Sequence, residues 1–395
     1  MELADFFKPV SITDFTFGDG KNYRRMGDAM KVFRDDLPFP DLEDIDIVII
    51  GVEEDRNAIC NGGSDQAPDQ IRKYFYELYR GNYTLKMADL GNIRLGHTVE
   101  DTYYAVAAVV AEIISRKIFP VIMGGSQDLT YANYRAYESL GQIINIVAVD
   151  PRFDIGDVEG QMDNTSYLSK IILHQPNFLF NFTNIGHQSY YIDYDALKLL
   201  KNLLFDAYRL GVIRTNIDET EPLIRNADMI SVDMAAIRQS DAPGNENPSP
   251  NGFYGEDACQ MLKYAGASDK LSSLGIYETN PDYDNLGQTA HLAAQLIWFF
   301  IEGYYMRKND FPLKSVDYSE QDFVKYMVPI EDHEHEIVFL KSKISDRWWM
   351  QVPCDNASSI NYERHYMVPC SFNDYQIALK NEVPDRWWQV YQKLM

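Results

Sequence analysis

Ile143-Ile144-Asn145-Ile146-Val147-Ala148-Val149-Asp150 is a nearly continuous apolar run that stops on a carboxylate. A short run of this kind is the pattern of a strand buried on both faces within a parallel sheet. Two more runs end the same way: Ala227-Asp228-Met229-Ile230-Ser231-Val232-Asp233 and Leu274-Gly275-Ile276-Tyr277-Glu278. A fourth, Pro120-Val121-Ile122-Met123, ends in Gly124-Gly125, where backbone can approach a bound group closely. Ligands of open α/β sheets sit outside the carboxyl ends of the strands. Asp150, Asp233 and Glu278, with Asp154 shortly after Asp150, are therefore expected to converge in the outline of a cation site.

Around these runs, strand patterns lie near 46–51, 119–124, 143–150, 181–186, 210–214, 227–233 and 272–277. Helical patterns lie near 66–79, 99–116, 128–140, 193–209, 254–268 and 285–306. Such alternation predicts the α/β class with a doubly wound parallel sheet. The loop from Asp241 to Tyr254, with Pro243, Gly244, Pro248, Pro250 and Gly252, is a natural rim for the site.

A chain of 395 residues is long enough for one large α/β domain and an appendage, and its 46% hydrophobic content argues against disorder. The net charge of −23, with no basic cluster, argues against nucleic acid and anionic membrane surfaces as partners. Cys60, Cys259, Cys354 and Cys370 have neither CxxC spacing nor a disulfide pattern. The first residues lack a basic and apolar secretory leader, and the apolar stretch 290–306 contains Gln295 and Glu302. No membrane insertion and a cytoplasmic location are expected.

The strand-end segments resemble the ureohydrolase family, which includes arginase, agmatinase and formimidoylglutamase. The resemblance rests on Gly124-Gly125-Ser126-Gln127, on Asp150-Pro151-Arg152-Phe153-Asp154, and on the stretch from Ser231 through Asp233 to Ala242-Pro243-Gly244. Glu278-Thr279-Asn280-Pro281-Asp282-Tyr283-Asp284 carries it as well. Ile49-Ile50-Gly51-Val52-Glu53-Glu54-Asp55-Arg56 and Ala67-Pro68-Asp69-Gln70-Ile71-Arg72 look most like the formimidoylglutamase branch. The resemblance implies an arginase-like three-layer α/β/α domain over residues 46–305, after a lead-in at 1–45, and allows a homo-oligomer.

In active family members six side chains bind two manganese ions. The resemblance places those positions on Gln127, Asp150, Arg152, Asp154, Asp233 and Ala235. Three of the six remain carboxylates. A carboxamide oxygen is a weaker ligand than imidazole, a methyl group is none, and a guanidinium cannot bind a cation. The second metal position is thereby cancelled. Like charges about 4 Å apart repel by roughly 4 kcal/mol at an effective dielectric near 20, so the carboxylates need a positive partner. Arg152 is expected to supply it bidentately in place of a metal, assisted by Arg238. Glu278 has two readings: the family's contact to the substrate's guanidinium or formimino end, or a support for the Asn280-Pro281 turn. His187, after a strand end, is a pocket candidate beside Glu278 and Asn280. His333 and His335 read as an acidic solvated turn, and His291 as structural.

Past residue 306 a repeat begins. Tyr326-Met327-Val328-Pro329 recurs as Tyr366-Met367-Val368-Pro369, and Asp346-Arg347-Trp348-Trp349 as Asp385-Arg386-Trp387-Trp388. The module at 306–395 is expected to hold two similar, β-rich units of about 40 residues each. One tryptophan of each pair should be buried and the other at an edge. Arg347, Trp348, Trp349, Arg386, Trp387 and Trp388 thus form a candidate surface for a protein partner.

Two functional readings follow. The first is a catalytically degenerate relative serving as a binding or scaffold protein, with no cofactor. The alternative is a C–N hydrolase of the formimidoylglutamase type that uses one divalent cation, Mn or Mg, on Asp150, Asp154 and Asp233 with Gln127 as an oxygen ligand.

Overall fold

The computed structural model of the chain describes residues 2–11, 15, 24–156, 160–312, 322–331, 336–354 and 362–394. His333 and His335 lie outside them. Strands β1 (Phe7–Lys8), β2 (Lys31–Val32), β3 (Ile47–Val52), β4 (Met87–Ile93), β5 (Phe119–Gly124), β6 (Ile144–Val149), β7 (Leu179–His187), β8 (Asp206–Arg209), β9 (Met229–Asp233) and β10 (Ser273–Tyr277) form one sheet. Its order is β1-β4-β3-β5-β10-β9-β6-β7-β8, with β2 on β4. Only β1 against β4 is antiparallel.

The apolar runs form strands because both faces are covered. One core cluster joins the sheet to helices Ala67–Phe75, Gly255–Gly266 and Gln288–Tyr305. Another joins it to Val99–Ser115, Leu129–Ser139 and Tyr167–Leu173. This is the three-layer α/β/α arrangement expected.

Two strands depart from the sequence reading. Residues 210–214 lie in a helix, Leu210–Thr215, and the strand is β8 just before it, inside the segment read as helix 193–209. A short apolar run cannot by itself separate strand from helix. The buried strand β4 was missed because Met87-Ala88-Asp89-Leu90-Gly91-Asn92-Ile93 carries polar residues. Arg72, also buried, resolves this: Asp89 Oδ2 accepts from Arg72 Nε at 2.8 Å and Asp89 Oδ1 from Nη2 at 2.9 Å.

The appendage contains an antiparallel sheet of β11 (Phe323–Val328), β12 (Ile337–Ser342), β13 (Trp348–Gln351) and β14 (Met367–Cys370), followed by helices Phe372–Leu379 and Asp385–Leu394. It is β-rich, but the two sequence copies fold differently. In the first copy Trp348-Trp349 lies on β13, after a turn in which Asp346 takes φ 61°. In the second, Asp385-Arg386-Trp387-Trp388 opens a helix directly after Pro384, a residue suited to a helix start. The copies jointly build one unit rather than two similar ones.

The tryptophan expectation holds for one pair. Trp387 is 1% exposed and Trp388 39%, whereas Trp348 and Trp349 are both buried. Adjacent strand residues do face opposite ways, but both faces of β13 are covered. Trp348 stacks on Tyr375 at 5.1 Å, and Trp349 lies under the Arg225 guanidinium at 4.5 Å. Arg347 donates to the Ala267 carbonyl at 3.0 Å, and Arg386 to Glu219 at 2.6 Å. The candidate partner surface is therefore turned inward except at Trp388.

Candidate functional site

Strands β5, β10, β9 and β6 are neighbours in that order, so their carboxyl ends share one stretch of sheet edge. The register sets Tyr277 opposite Asp233, Ile276 opposite Met123 and Val149 opposite Val232. Gly124-Gly125, Glu278, Asp233 and Asp150 therefore come together as the chain pattern implied. Gly125 is required by close approach: a Cβ there would stand 2.2 Å from the Glu54 carbonyl oxygen. Its own carbonyl accepts from Glu278 N at 2.9 Å, which ties β5 to the turn after β10.

Asp150, Asp154, Asp233, Glu278 and Gln127 are all buried. Asp150 Oδ1 accepts from Arg152 N at 2.6 Å, and Asp233 Oδ1 accepts from Ala235 N at 2.7 Å. Each backbone bond orients a carboxyl and leaves its second oxygen for something else. Gln127 is held by Nε2 donating to Ser231 Oγ at 2.9 Å. Among the described residues no hydrogen bond of normal geometry reaches Gln127 Oε1 or Asp150 Oδ2.

The electrostatics are those of a crowded acid cluster. Burial, reinforced by Asp154, pushes the Asp150 carboxyl well above the usual range. Burial, with Asp233 adding, raises Asp154 to about 7. Burial, then Asp150 and Glu278, raises Asp233 well above its ordinary value. Burial also raises Glu278, against hydrogen bonds that favour its charged form.

Arg152 does not occupy the centre of this cluster. Its guanidinium lies over the Tyr191 ring at 4.8 Å from the centroid, and its charge lowers the carboxyls from a distance. Among the described residues no ion pair within 4.0 Å joins it to Asp150, Asp154 or Asp233, so the expected bidentate counter-charge is not formed. The backbone explains this: Asn184 Nδ2 donates to the Asp150 and Arg152 carbonyls at 3.2 and 2.7 Å, and Arg152 N is spent on Asp150. The side chain leaves this pinned turn towards Tyr191. Arg238 pairs with Asp241 at 2.9 Å and stacks on Tyr254, so it does not assist either.

Glu278 adopts φ 65° and is heavily bonded. Its Oε1 accepts from Gln127 N at 2.7 Å and Asn164 Nδ2 at 3.1 Å, and its Oε2 from Asn61 Nδ2 at 2.6 Å. Asn280 Nδ2 donates to Asn61 Oδ1 at 3.0 Å and to the Gly62 carbonyl at 2.9 Å. Both residues hold loops together here. His187 is buried against Phe153, ring centroids 5.0 Å apart, with Nδ1 unpartnered; burial, then Arg209, lowers it to about 4, so it is neutral at pH 7. His291 stacks on Tyr74. Asn61 and Asn164 were missed by sequence reading, because isolated amides in loops have no periodic signature; Ser231 was read only as the start of a motif, not as the residue that holds Gln127.

The donor chemistry decides what cation fits. Two ions do not fit, because Ala235 supplies no donor and Arg152 is itself cationic. One hard cation matches the oxygens of Asp150, Asp154, Asp233 and Gln127, two of which lack partners. Among the described residues no three or more His, Cys, Asp or Glu side chains stand in closed metal-binding geometry. Binding would have to draw the carboxyls inward.

The sequence profile of the arginase family matches residues 45–302. A formimidoylglutamase of Staphylococcus aureus (strain JH9) is 28% identical over 265 residues, 64% of this chain and 85% of that protein. The structure of formimidoylglutamase from Bacillus subtilis superposes with a TM-score of 0.65 at 19% identity, covering 75% of this chain and 96% of that one. Trypanosoma cruzi formiminoglutamase with Mn2+ gives 0.63 at 20% identity, over 72% and 99%. These superpositions show a shared fold. Together with the profile match across most of the chain, they lead to one conclusion: this chain belongs to the arginase family.

Proposed function

We propose that the chain is a divalent-cation-dependent hydrolase of linear amidines, of the formimidoylglutamase type, with one cation held by Gln127, Asp150, Asp154 and Asp233. The observation that carries this is the position of Arg152. A guanidinium among the carboxylates would have replaced the metal; lying over Tyr191 instead, it leaves the buried acids, among the described residues, without an ion pair, and Gln127 Oε1 and Asp150 Oδ2 without a hydrogen bond of normal geometry. The formimidoylglutamase relative supports the same reading.

A cation bound there would supply Lewis-acid polarisation and an acidified water. The chain's residues do the positioning. Ser231 fixes the Gln127 amide, the N–H groups of Arg152 and Ala235 orient Asp150 and Asp233, and Glu278 ties Gln127 to Asn61 and Asn164. His187, kept neutral, presents an unpartnered ring nitrogen behind Phe153.

A second reading is favoured by Ala235 and Arg152 themselves: the family fold persists while catalysis has been lost with the second cation position. The two are separated by turnover. Manganese- or magnesium-loaded protein should release product from formiminoglutamate, arginine or agmatine, and Asp233→Asn should abolish the release. Cation-loaded protein with no turnover on any of the three would leave the degenerate reading standing.

A further inference from the structure

We infer that Arg364, in the appendage, is a positioning residue for the acid cluster at the opposite end of the sheet. It acts through Asp228, on which the three strands that carry Asp150, Asp233 and Glu278 converge. The consequence for cation binding rests on the function proposed above; the link through the strands does not.

Asp228 stands directly before β9 and is completely buried. Its backbone N donates to the Asn145 carbonyl at 2.9 Å and its Oδ2 accepts from Asn145 N at 2.9 Å, so its side chain completes the joint between β9 and β6. Its carbonyl accepts from Ser272 N at 2.9 Å and from Tyr137 Oη at 3.1 Å, which brings in the start of β10. From this hub β6, β9 and β10 run parallel in fixed register, and the chain leaves each of them into one acid of the cluster. The strand from Asp228 to Asp233 is roughly 16 Å long. A close-packed interior has low compressibility, so a shift at the hub is passed along the strands rather than absorbed beside it.

The charge of this hub is balanced partly from outside the domain. Arg364 Nη2 donates to Asp228 Oδ1 at 2.7 Å and Nε donates to the same oxygen at 3.1 Å, while Nη2 also reaches the Lys270 carbonyl at 3.0 Å. Lys270 Nζ lies 3.4 Å from Asp228 Oδ2. Burial by itself would raise the Asp228 carboxyl; Lys270 and then Arg364 hold it below its ordinary value. Burial pulls Lys270 down to about 8, which leaves Arg364 as the counter-charge that never gives up its proton. The adjoining His365 is lowered to about 3 by burial and Lys270, and is neutral at pH 7. Its Nε2 donates to the Ile143 carbonyl at 3.1 Å, just before β6, and its ring stacks on Phe180 of β7 at 4.4 Å. The appendage thus grips the amino ends of strands whose carboxyl ends form the site. Without Arg364 the buried Asp228 is under-compensated, the joint of the three strands loosens, and the acids at their other ends lose their fixed spacing.

The test compares full-length wild type, Arg364→Gln, Arg364→Lys and Arg386→Gln by hydrogen exchange of the metal-free proteins and by calorimetric titration with manganese. Arg386→Gln is the control for docking alone, since Arg386 bridges the appendage to Glu219, a residue outside the sheet, at 2.6 Å. Arg364→Gln should speed amide exchange at Val149, Asp150, Val232 and Asp233 at least several-fold and weaken manganese binding about tenfold. Arg364→Lys, which keeps the charge but not the fork, should recover part of both. Arg386→Gln should change neither by more than about twofold, even where it lowers the thermal midpoint. Should wild type bind no manganese, the cation reading falls, and faster exchange at these four amides in Arg364→Gln still upholds the link. Should Arg364→Gln fail to fold, Arg364→Lys carries the comparison: exchange at the four amides faster than in Arg386→Gln upholds the link. Wild-type exchange at those amides in the Arg364 variants, with only Asn145 and Asp228 loosened, or an equal effect of Arg386→Gln, would show that Arg364 merely docks the appendage and would overturn it.

Discussion

At the scale of single residues, the cluster is governed by the cost of holding several carboxylates in one dry place. Each one meets that cost by taking up a proton more readily than it would in water: burial, with Asp233 beside it, holds Asp154 at about 7, and burial with neighbouring acids raises Asp150 and Asp233 well above the usual carboxylate range. A carboxyl raised on folding stabilises the fold below its unfolded pKa, near 3.9, and loses that contribution as pH climbs through the folded value. In chelator-treated protein, stability to urea should therefore fall between pH 5 and pH 8 by on the order of a few kcal/mol, since a tenfold change in proton affinity is worth about 1.4 kcal/mol. Saturating manganese should remove most of that fall, because the cation favours the ionised carboxyls. Denaturation midpoints that rise from pH 5 to pH 8 without metal would show that the acids are not coupled as described. The carboxylates and the loss of Ala235 and Arg152 as ligands were legible from residue type. The direction of the Arg152 side chain was not, because it follows from Asn184, on another strand, gripping the Arg152 backbone.

At the scale of elements, most of the sheet was legible because parallel strands covered on both faces become unbroken apolar runs, as in β3, β5, β6, β9 and β10. β4 was not, because its polar residues are solved by a distant side chain rather than by solvent. Arg72 gives Asp89 two hydrogen bonds, donates to Gly91 O at 2.9 Å and also reaches Asn92. Asp89 additionally accepts from Tyr76 Oη at 2.9 Å. Arg72→Met should leave Asp89 buried beside only two neutral donors, Tyr76 Oη and the Gly91 N–H, and cost about 3–5 kcal/mol of folding stability, whereas Arg72→Met with Asp89→Leu should recover much of the loss. Equal destabilisation of the single and double variants would mean that packing, not the ion pair, holds β4. The tandem motifs of the appendage show the reverse failure. Asp-Arg-Trp-Trp recurs in sequence, but Pro384 starts a helix in one copy while the Asp346 turn feeds a strand in the other. Local context overrode the repeat.

At the scale of the whole molecule, the appendage and the arginase-family domain share buried polar contacts. Arg364 reaches Asp228 at 2.7 Å, where Lys270 also lies at 3.4 Å, and Arg225 donates to the carbonyls of Trp348 and Cys370 at 3.2 and 3.3 Å. Removing residues 307–395 should therefore lower the thermal midpoint and soluble yield of the remaining domain. A truncated chain as stable as the full one would show that the interface contributes little. The function proposed for the site depends on one cation position surviving where the family fold provides two. Calorimetric titration of metal-free full-length protein with manganese decides this. One cation per chain should bind wild type and none should bind Asp150→Asn; two cations per chain, or none in the wild type, would contradict it.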